Sequence, residues 1–202
     1  VLQPWKLTRN RYGRALYDAL EGIGVTATVM YEFARALDGN GRDDSSECVG
    51  RGAAGEVAAD RRVAVCDGEA VSSLDPPLDE VREGEDVIGV FESDTPCGYL
   101  FLSVDDALPI HPLDRVLDFE GAYVRRVFVA PDHRGRGLAT ALLGEACQRA
   151  TARGADRATA LVAVDNVPSR SLFERCGFEP VRRRQYARVG PLSYRRVVPN
   201  GT

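Results

Sequence analysis

From Val124 to Thr140 the chain reads Val-Arg-Arg-Val-Phe-Val-Ala-Pro-Asp-His-Arg-Gly-Arg-Gly-Leu-Ala-Thr. An apolar strand passes through a short Pro-Asp turn into a glycine-spaced loop that opens directly onto a helix. Gly135 and Gly137 leave the first N–H groups of that helix without acceptors, at the positive end of its dipole. Such a turn is an anion site built from backbone, suited above all to phosphate or pyrophosphate.

Three classes of phosphate-bearing ligand are compatible with a loop of this kind. A nucleoside-triphosphate loop needs GxxxxGK followed by Ser or Thr, and this loop has no lysine. A dinucleotide fold needs GxGxxG straight after a strand. Here Thr140 stands where the third glycine belongs, Pro131-Asp132-His133 intervenes, and too little chain follows for a doubly wound sheet, although Asp165 mimics the ribose-binding acid. The third class is coenzyme A. Arg134-Gly135-Arg136-Gly137-Leu138-Ala139 fits R/Q-x-x-G-x-G/A, the signature of the GCN5-related N-acetyltransferases (GNAT superfamily), and residues 127–131 resemble the strand before it. Asn166, followed by Ser171-Leu172-Phe173-Glu174-Arg175-Cys176-Gly177-Phe178, resembles the family's second motif. The resemblance is close over residues 122–181 and looser over 87–198.

The resemblance implies acetyl-CoA as donor and an amine as acceptor. The strand holding Val127, Phe128 and Val129 splays from its parallel neighbour, so that Val127 and Val129 pair with the pantetheine arm and one N–H polarises the thioester carbonyl. Backbone N–H groups of Gly135, Arg136, Gly137, Leu138, Ala139 and Thr140 hold the pyrophosphate, with the Thr140 hydroxyl as an extra donor. Glycine permits close backbone approach there. Asn166 bonds the pantetheine region, and Arg134, Arg136 and Arg170 are placed to pair with phosphates.

The chain departs from the family pattern where protons move. The usual acidic tyrosine of the second motif is Phe173, and the glutamate some members carry on the buried strand is Leu161. Arg125 and Arg126 fill the middle of the loop strand, where others have a carboxylate. Glu120 is then the candidate base, acting through water, and Tyr186 and Tyr194 are the candidate acids. His111 and His133 read as loop and turn positions. No cysteine has a visible histidine partner, so an acyl-cysteine route is unsupported. The missing groups leave a second function open: a coenzyme-A-binding sensor or interaction module without transferase activity.

The elements that must position these residues follow from local pattern. Tyr12, Leu16 and Leu20, then Val25, Val29, Phe33 and Leu37, repeat at helical spacing and predict two helices. Residues 38–60 turn polar and glycine-rich, a linker. Segments 87–92 and 98–104 predict a hairpin around Ser93-Asp94-Thr95-Pro96. A polar stretch with His111 leads to a strand at 122–129. A helix over 136–153, a doubly buried strand over 158–164, a short helix over 168–176 and strands over 181–189 and 194–198 complete the order. This is a mixed α/β fold with a partly parallel sheet, expected as a helical extension and linker at 1–60 and an acetyltransferase domain at 61–202.

Composition sets the outer bounds. The chain has 202 residues, 44% hydrophobic and 28% charged, as in an ordinary globular domain. Net charge is −4, which argues against a general nucleic-acid binder. No apolar run spans a membrane, no secretory signal is visible, and five cysteines without metal-ligand spacing point to free thiols in a reducing cytoplasm. No metal is expected, and a homodimer is compatible. Lys6 is the only lysine. Arg182, Arg183, Arg184, Arg188, Arg195 and Arg196 crowd the last segment with no acid after Glu179. They read either as a solvated sheet edge or as a basic surface for an acidic acceptor or partner.

Overall fold

The computed structural model describes residues 25–37 and 61–200. One eight-stranded sheet dominates: β1 (Val25–Ala36), β2 (Arg61–Cys66), β3 (Asp86–Glu92), β4 (Thr95–Ile110), β5 (Arg115–Val129), β6 (Arg157–Ala163), β7 (Glu179–Val189) and β8 (Leu192–Pro199). Their spatial order is β2-β3-β4-β5-β6-β1-β7-β8. Every neighbouring pair is antiparallel except β5 and β6, which are joined by the crossover helix α1 (Leu138–Ala152). A second helix, α2 (Val167–Arg175), follows β6. The mixed α/β sheet expected from the sequence is present, mostly antiparallel around its one parallel pair.

One face of the sheet packs against both helices. Phe33, Ile88, Leu100, Leu102 and Val124 from the strands meet Leu138, Leu142 and Leu143 of α1 and Phe173 of α2 in one continuous core. The opposite face carries two smaller clusters. One holds Val71, Val87, Phe91, Tyr99 and Phe101 under the 3-10 turn Gly68–Leu74. The other holds Leu108, Leu117, Phe119, Tyr123 and Tyr186.

Two expectations need correction. Residues 25–36, read as a helix outside the catalytic fold, form a strand between β6 and β7 in the sheet interior. The i, i+4 spacing of Val25, Val29 and Phe33 is outweighed by the β-branched and aromatic content of the segment, and by the two antiparallel partners that await it. The first helix, at Tyr12 to Leu20, and the linker at 38–60 lie outside the described residues. The polar stretch before residue 122 is also strand: β4 and β5 run on as a long hairpin, closed by the turn His111–Leu113.

That hairpin bends. Asp105 (φ 49°) faces an extra residue on β5 at Gly121 (φ 80°), and Asp105 Oδ1 accepts the Gly121 N–H at 2.7 Å. Glycine is required at 121, where a Cβ would lie 2.6 Å from the Arg157 carbonyl oxygen. The bend carries the hairpin tip over the sheet to β7, where the Tyr186 hydroxyl donates to Asp114 Oδ2 at 3.0 Å. The β3–β4 turn needs only two residues, Ser93 (φ 49°) and Asp94 (φ 62°), the left-handed pair that suits a tight hairpin.

Candidate active site

β5 and β6 are paired in parallel only at Ala122–Ala158 and Tyr123–Thr159. Beyond Tyr123 the strands part, so residues 124–129 hydrogen-bond to β4 on one side and present a free edge on the other. A bulge sits on this edge. Phe101 faces Arg125 and Tyr99 faces Phe128, so β5 carries an extra residue there, and Arg126 adopts a left-handed φ of 56°. Such a φ costs a non-glycine residue about 1 kcal/mol. Two acid–arginine pairs pin it. Glu80 receives the Arg126 guanidinium at 2.6 Å, which holds the Glu80 carboxyl below its usual range. Glu85 receives Arg125 at 2.6 and 2.8 Å.

Val127 and Val129 lean into the main core, whereas Phe128 stacks on Tyr99 on the opposite face, 5.3 Å between ring centres. At the end of β5, Pro131–His133 makes a 3-10 turn and the glycine loop follows. Gly135 and Gly137 take φ values of 77° and 76°, and open space surrounds the Cβ position of each. Gly137 caps α1, whose first internal hydrogen bond runs from Ala141 N–H to the Gly137 carbonyl. The N–H groups of residues 135–140 meet no acceptor among the described residues. Thr140 and Ala139 are half-buried, and Leu138 is a core residue.

The loop arginines are engaged within the protein. Arg134 Nε donates to the Val129 carbonyl at 2.9 Å, and Arg136 meets Glu92 Oε2 at 2.9 Å. Glu92 also holds His133 Nδ1 at 3.2 Å, so it grips the loop on both sides of Gly135. Arg170 donates to the Val164 carbonyl and lies over the Tyr31 ring. Asn166, at the end of β6, caps α2 by accepting the Ser169 N–H at 3.2 Å. Phe173 is buried between Phe33 and Phe178.

A cysteine–histidine contact that the sequence did not disclose appears beside the loop. Cys97 Sγ lies 3.9 Å from His133 Nε2, with Glu92 behind the imidazole. The order resembles a nucleophile with its base, but the thiol is fully buried and burial pushes its pKa up. It donates to the Thr95 carbonyl at 3.3 Å. Glu92, Cys97 and His133 offer three ligand atoms within 4.8 Å of one another, but the Glu92 carboxylate is already neutralised by Arg136 and Arg61.

The three proton-transfer candidates lie on three different strands, β5, β7 and β8. Glu120 is exposed at the bend of β5, on the far side of the parallel pair from the glycine loop. Tyr186 is buried, with Arg195 over its ring and its hydroxyl on Asp114. Tyr194 is 54% exposed on the edge strand and, opposite Ala187, lies on the other face from Tyr186. His111 is exposed at the tip of the hairpin.

Other groups line the sheet face beside the gap. Glu32 on β1 accepts from Arg184 at 2.7 Å, with Arg182 at 3.7 Å, so the basic run of β7 is partly neutralised from β1. Ser103 donates to Glu85 at 2.9 Å. Tyr123 and Thr159 occupy the apex of the gap. Sequence reasoning missed Glu32 because it was assigned to a helix. It missed Tyr123 because the signal lies in strand register: only the last residue of the parallel pairing marks the apex.

A sequence model of the acetyltransferase (GNAT) family matches residues 61–178. An uncharacterized N-acetyltransferase of Methanocaldococcus jannaschii is 40% identical over 60 residues, 30% of this chain and 26% of that protein. The chain therefore spans about a quarter of this curated relative. A GCN5-related N-acetyltransferase-like protein from Streptococcus suis has a similar fold, with TM-score 0.55, 16% identity, and 89% of this chain and 68% of that one covered. A GCN5-related N-acetyltransferase from Kribbella flavida gives TM-score 0.50 and 15% identity over 98% of this chain and 76% of that one. A Drosophila protein gives 0.53 and 13% identity over 88% of this chain and 57% of that one. With the family model spanning more than half its length, the chain belongs to the GNAT acetyltransferase family.

Proposed function

We propose that the chain transfers an acetyl group from acetyl-CoA to a primary amine, of a small molecule or a protein, by direct attack on the thioester. The observation that carries this reading is the free edge of residues 124–129 running straight into the unpaired N–H groups of residues 135–140. The pantetheine arm adds to that edge beside Val127 and Val129 as an extra strand would, with Phe128 turned away. The pyrophosphate sits on the N–H groups of Gly135 to Thr140, with the Thr140 hydroxyl as a further donor. Asn166 bonds the arm from the other lip of the gap, and Phe173 backs that lip without supplying a hydroxyl. Glu120, exposed at the bend, acts as base through water, and Tyr186 or Tyr194 returns the proton.

The test is thiol release from acetyl-CoA across a panel of amines, peptides and polyamines. Release above background with at least one acceptor is expected. Tight acetyl-CoA binding without release would instead make the chain a coenzyme-binding sensor or interaction module. Binding of NAD but not coenzyme A would return the dinucleotide reading. Glu92→Gln should weaken coenzyme A about fivefold, the equivalent of about 1 kcal/mol, because the loop loses its charged tether to Arg136 and His133. Calorimetric titration checks this, with the melting temperature nearly unchanged.

A further inference from the structure

The parallel pairing of β5 and β6 ends at one couple, Tyr123 and Thr159. Ala122 and Val124, like Ala158 and Ala160, turn into the helix-covered core, so by strand alternation Tyr123 and Thr159 point to the opposite face. Whatever enters the gap from the loop side ends its path against these two side chains. Tyr123 is 5% exposed, and its ring stacks on Phe119 with centres 4.0 Å apart. Its hydroxyl has no hydrogen bond among the described residues, and neither has that of Thr159, also buried. Neither oxygen is among the fully enclosed unpartnered atoms, so both remain open to the gap.

The charges beside it do not fill that role. Glu85 is closed on Arg125 and Ser103, and Glu32 is closed on Arg184. The spare hydrogen-bonding capacity at the apex belongs to the hydroxyls.

We propose that Tyr123 is a catalytic residue whose hydroxyl donates a hydrogen bond to the negative charge that develops on the thioester as the amine attacks. The assignment rests on the acetyl-transfer reading above. In that step the amine nitrogen bonds to the carbonyl carbon and the carbon–sulfur bond breaks, its electron pair leaving with sulfur. The surplus amine proton passes to water or to a carboxylate, and Tyr123 keeps its own. Burial disfavours the phenolate and raises the Tyr123 pKa, so the group stays a donor throughout the working pH range and does not serve as a base. A donor held in place by its packed ring acts where charge appears and needs little reorganisation as it does.

Tyr123→Phe removes one oxygen and keeps the ring on Phe119. Thiol release from acetyl-CoA, followed with the best amine of the panel, should fall between about tenfold and a hundredfold in kcat. KM for acetyl-CoA and the dissociation constant for coenzyme A should stay the same, and the melting temperature should hold or rise. The ratio of parent to variant rate should be constant from pH 6 to 9, because no proton of Tyr123 titrates there. An unchanged kcat would overturn the assignment, and a pH-dependent ratio would overturn the donor role in favour of a titrating one. If the parent releases no thiol with any acceptor, the acetyl-transfer reading fails first and this assignment with it. If the parent is active and the variant equals it, only Tyr123 is misassigned.

Discussion

Gly137→Glu is expected to lower coenzyme A affinity at least about a hundredfold while the fold survives. The Cβ of residue 137 meets nothing within 4 Å, so a side chain fits without displacing a neighbour. Its φ of 76° is left-handed, which costs a non-glycine residue about 1 kcal/mol, or about 2–4 °C in melting temperature for a chain of this size. The functional loss is far larger. A carboxylate at the helix cap enters the space where unpaired N–H groups gather, and at about 5 Å and an effective dielectric of 20 each phosphate charge repels it by about 3 kcal/mol. Gly137→Ala isolates the charge, because it carries the backbone strain and the Cβ without the carboxylate, and should lose less coenzyme A affinity than Gly137→Glu. Isothermal titration of both variants, with thermal melts alongside, decides the matter. Equal affinity of Gly137→Glu and the parent would place the pyrophosphate elsewhere.

The loop was legible in the sequence because all its determinants are local. Glycine spacing, the Pro-Asp turn, and the apolar stripe of Leu138, Leu142 and Ala146 state strand, turn and helix within about twenty residues. The strand at 157–163 and the helix at 167–175 were readable for the same reason: an apolar run, then Asn166 and Pro168 at a helix start. What could not be read depends on partners far along the chain. Residues 25–36 are strand because β6 and β7 need a neighbour between them, more than a hundred residues away. The Glu32–Arg184 pair spans 152 positions, and no spacing rule links the two. The hairpin extension has another cause: Leu108 and Ile110, like Leu117 and Phe119, alternate as strand residues should, but His111, Pro112 and Asp114 between the two pairs give the stretch the look of a loop. On the site itself, residue types suggested Glu120 and two tyrosines. Strand register, which sequence does not display, adds Tyr123 at the apex of the gap.

Register also explains why Arg125 and Arg126 occupy the strand positions where a carboxylate would be expected. Arg125→Met should destabilise the protein by about 3–5 kcal/mol, because it strands a buried carboxylate. The Glu85 side chain has no exposed surface, and its oxygens are shared between the Arg125 guanidinium at 2.6 and 2.8 Å and the Ser103 hydroxyl. Arg125 also reaches the Glu80 carbonyl at 2.7 Å and lies over the Phe101 ring, so one side chain ties the loop before β3 to the bulge of β5. Methionine keeps most of that volume and removes the charge. In the variant the buried carboxylate keeps its desolvation cost and loses the counter-charge that offset it. Adding Glu85→Gln removes the stranded charge and should recover most of the loss, since an apolar or neutral substitute for a buried pair is often tolerated. Urea titrations of the two single variants and the double variant at pH 7 measure the coupling directly. A deficit below about 1 kcal/mol would mean that the pair behaves as a surface ion pair. The left-handed Arg126 would then owe its conformation to Glu80 alone.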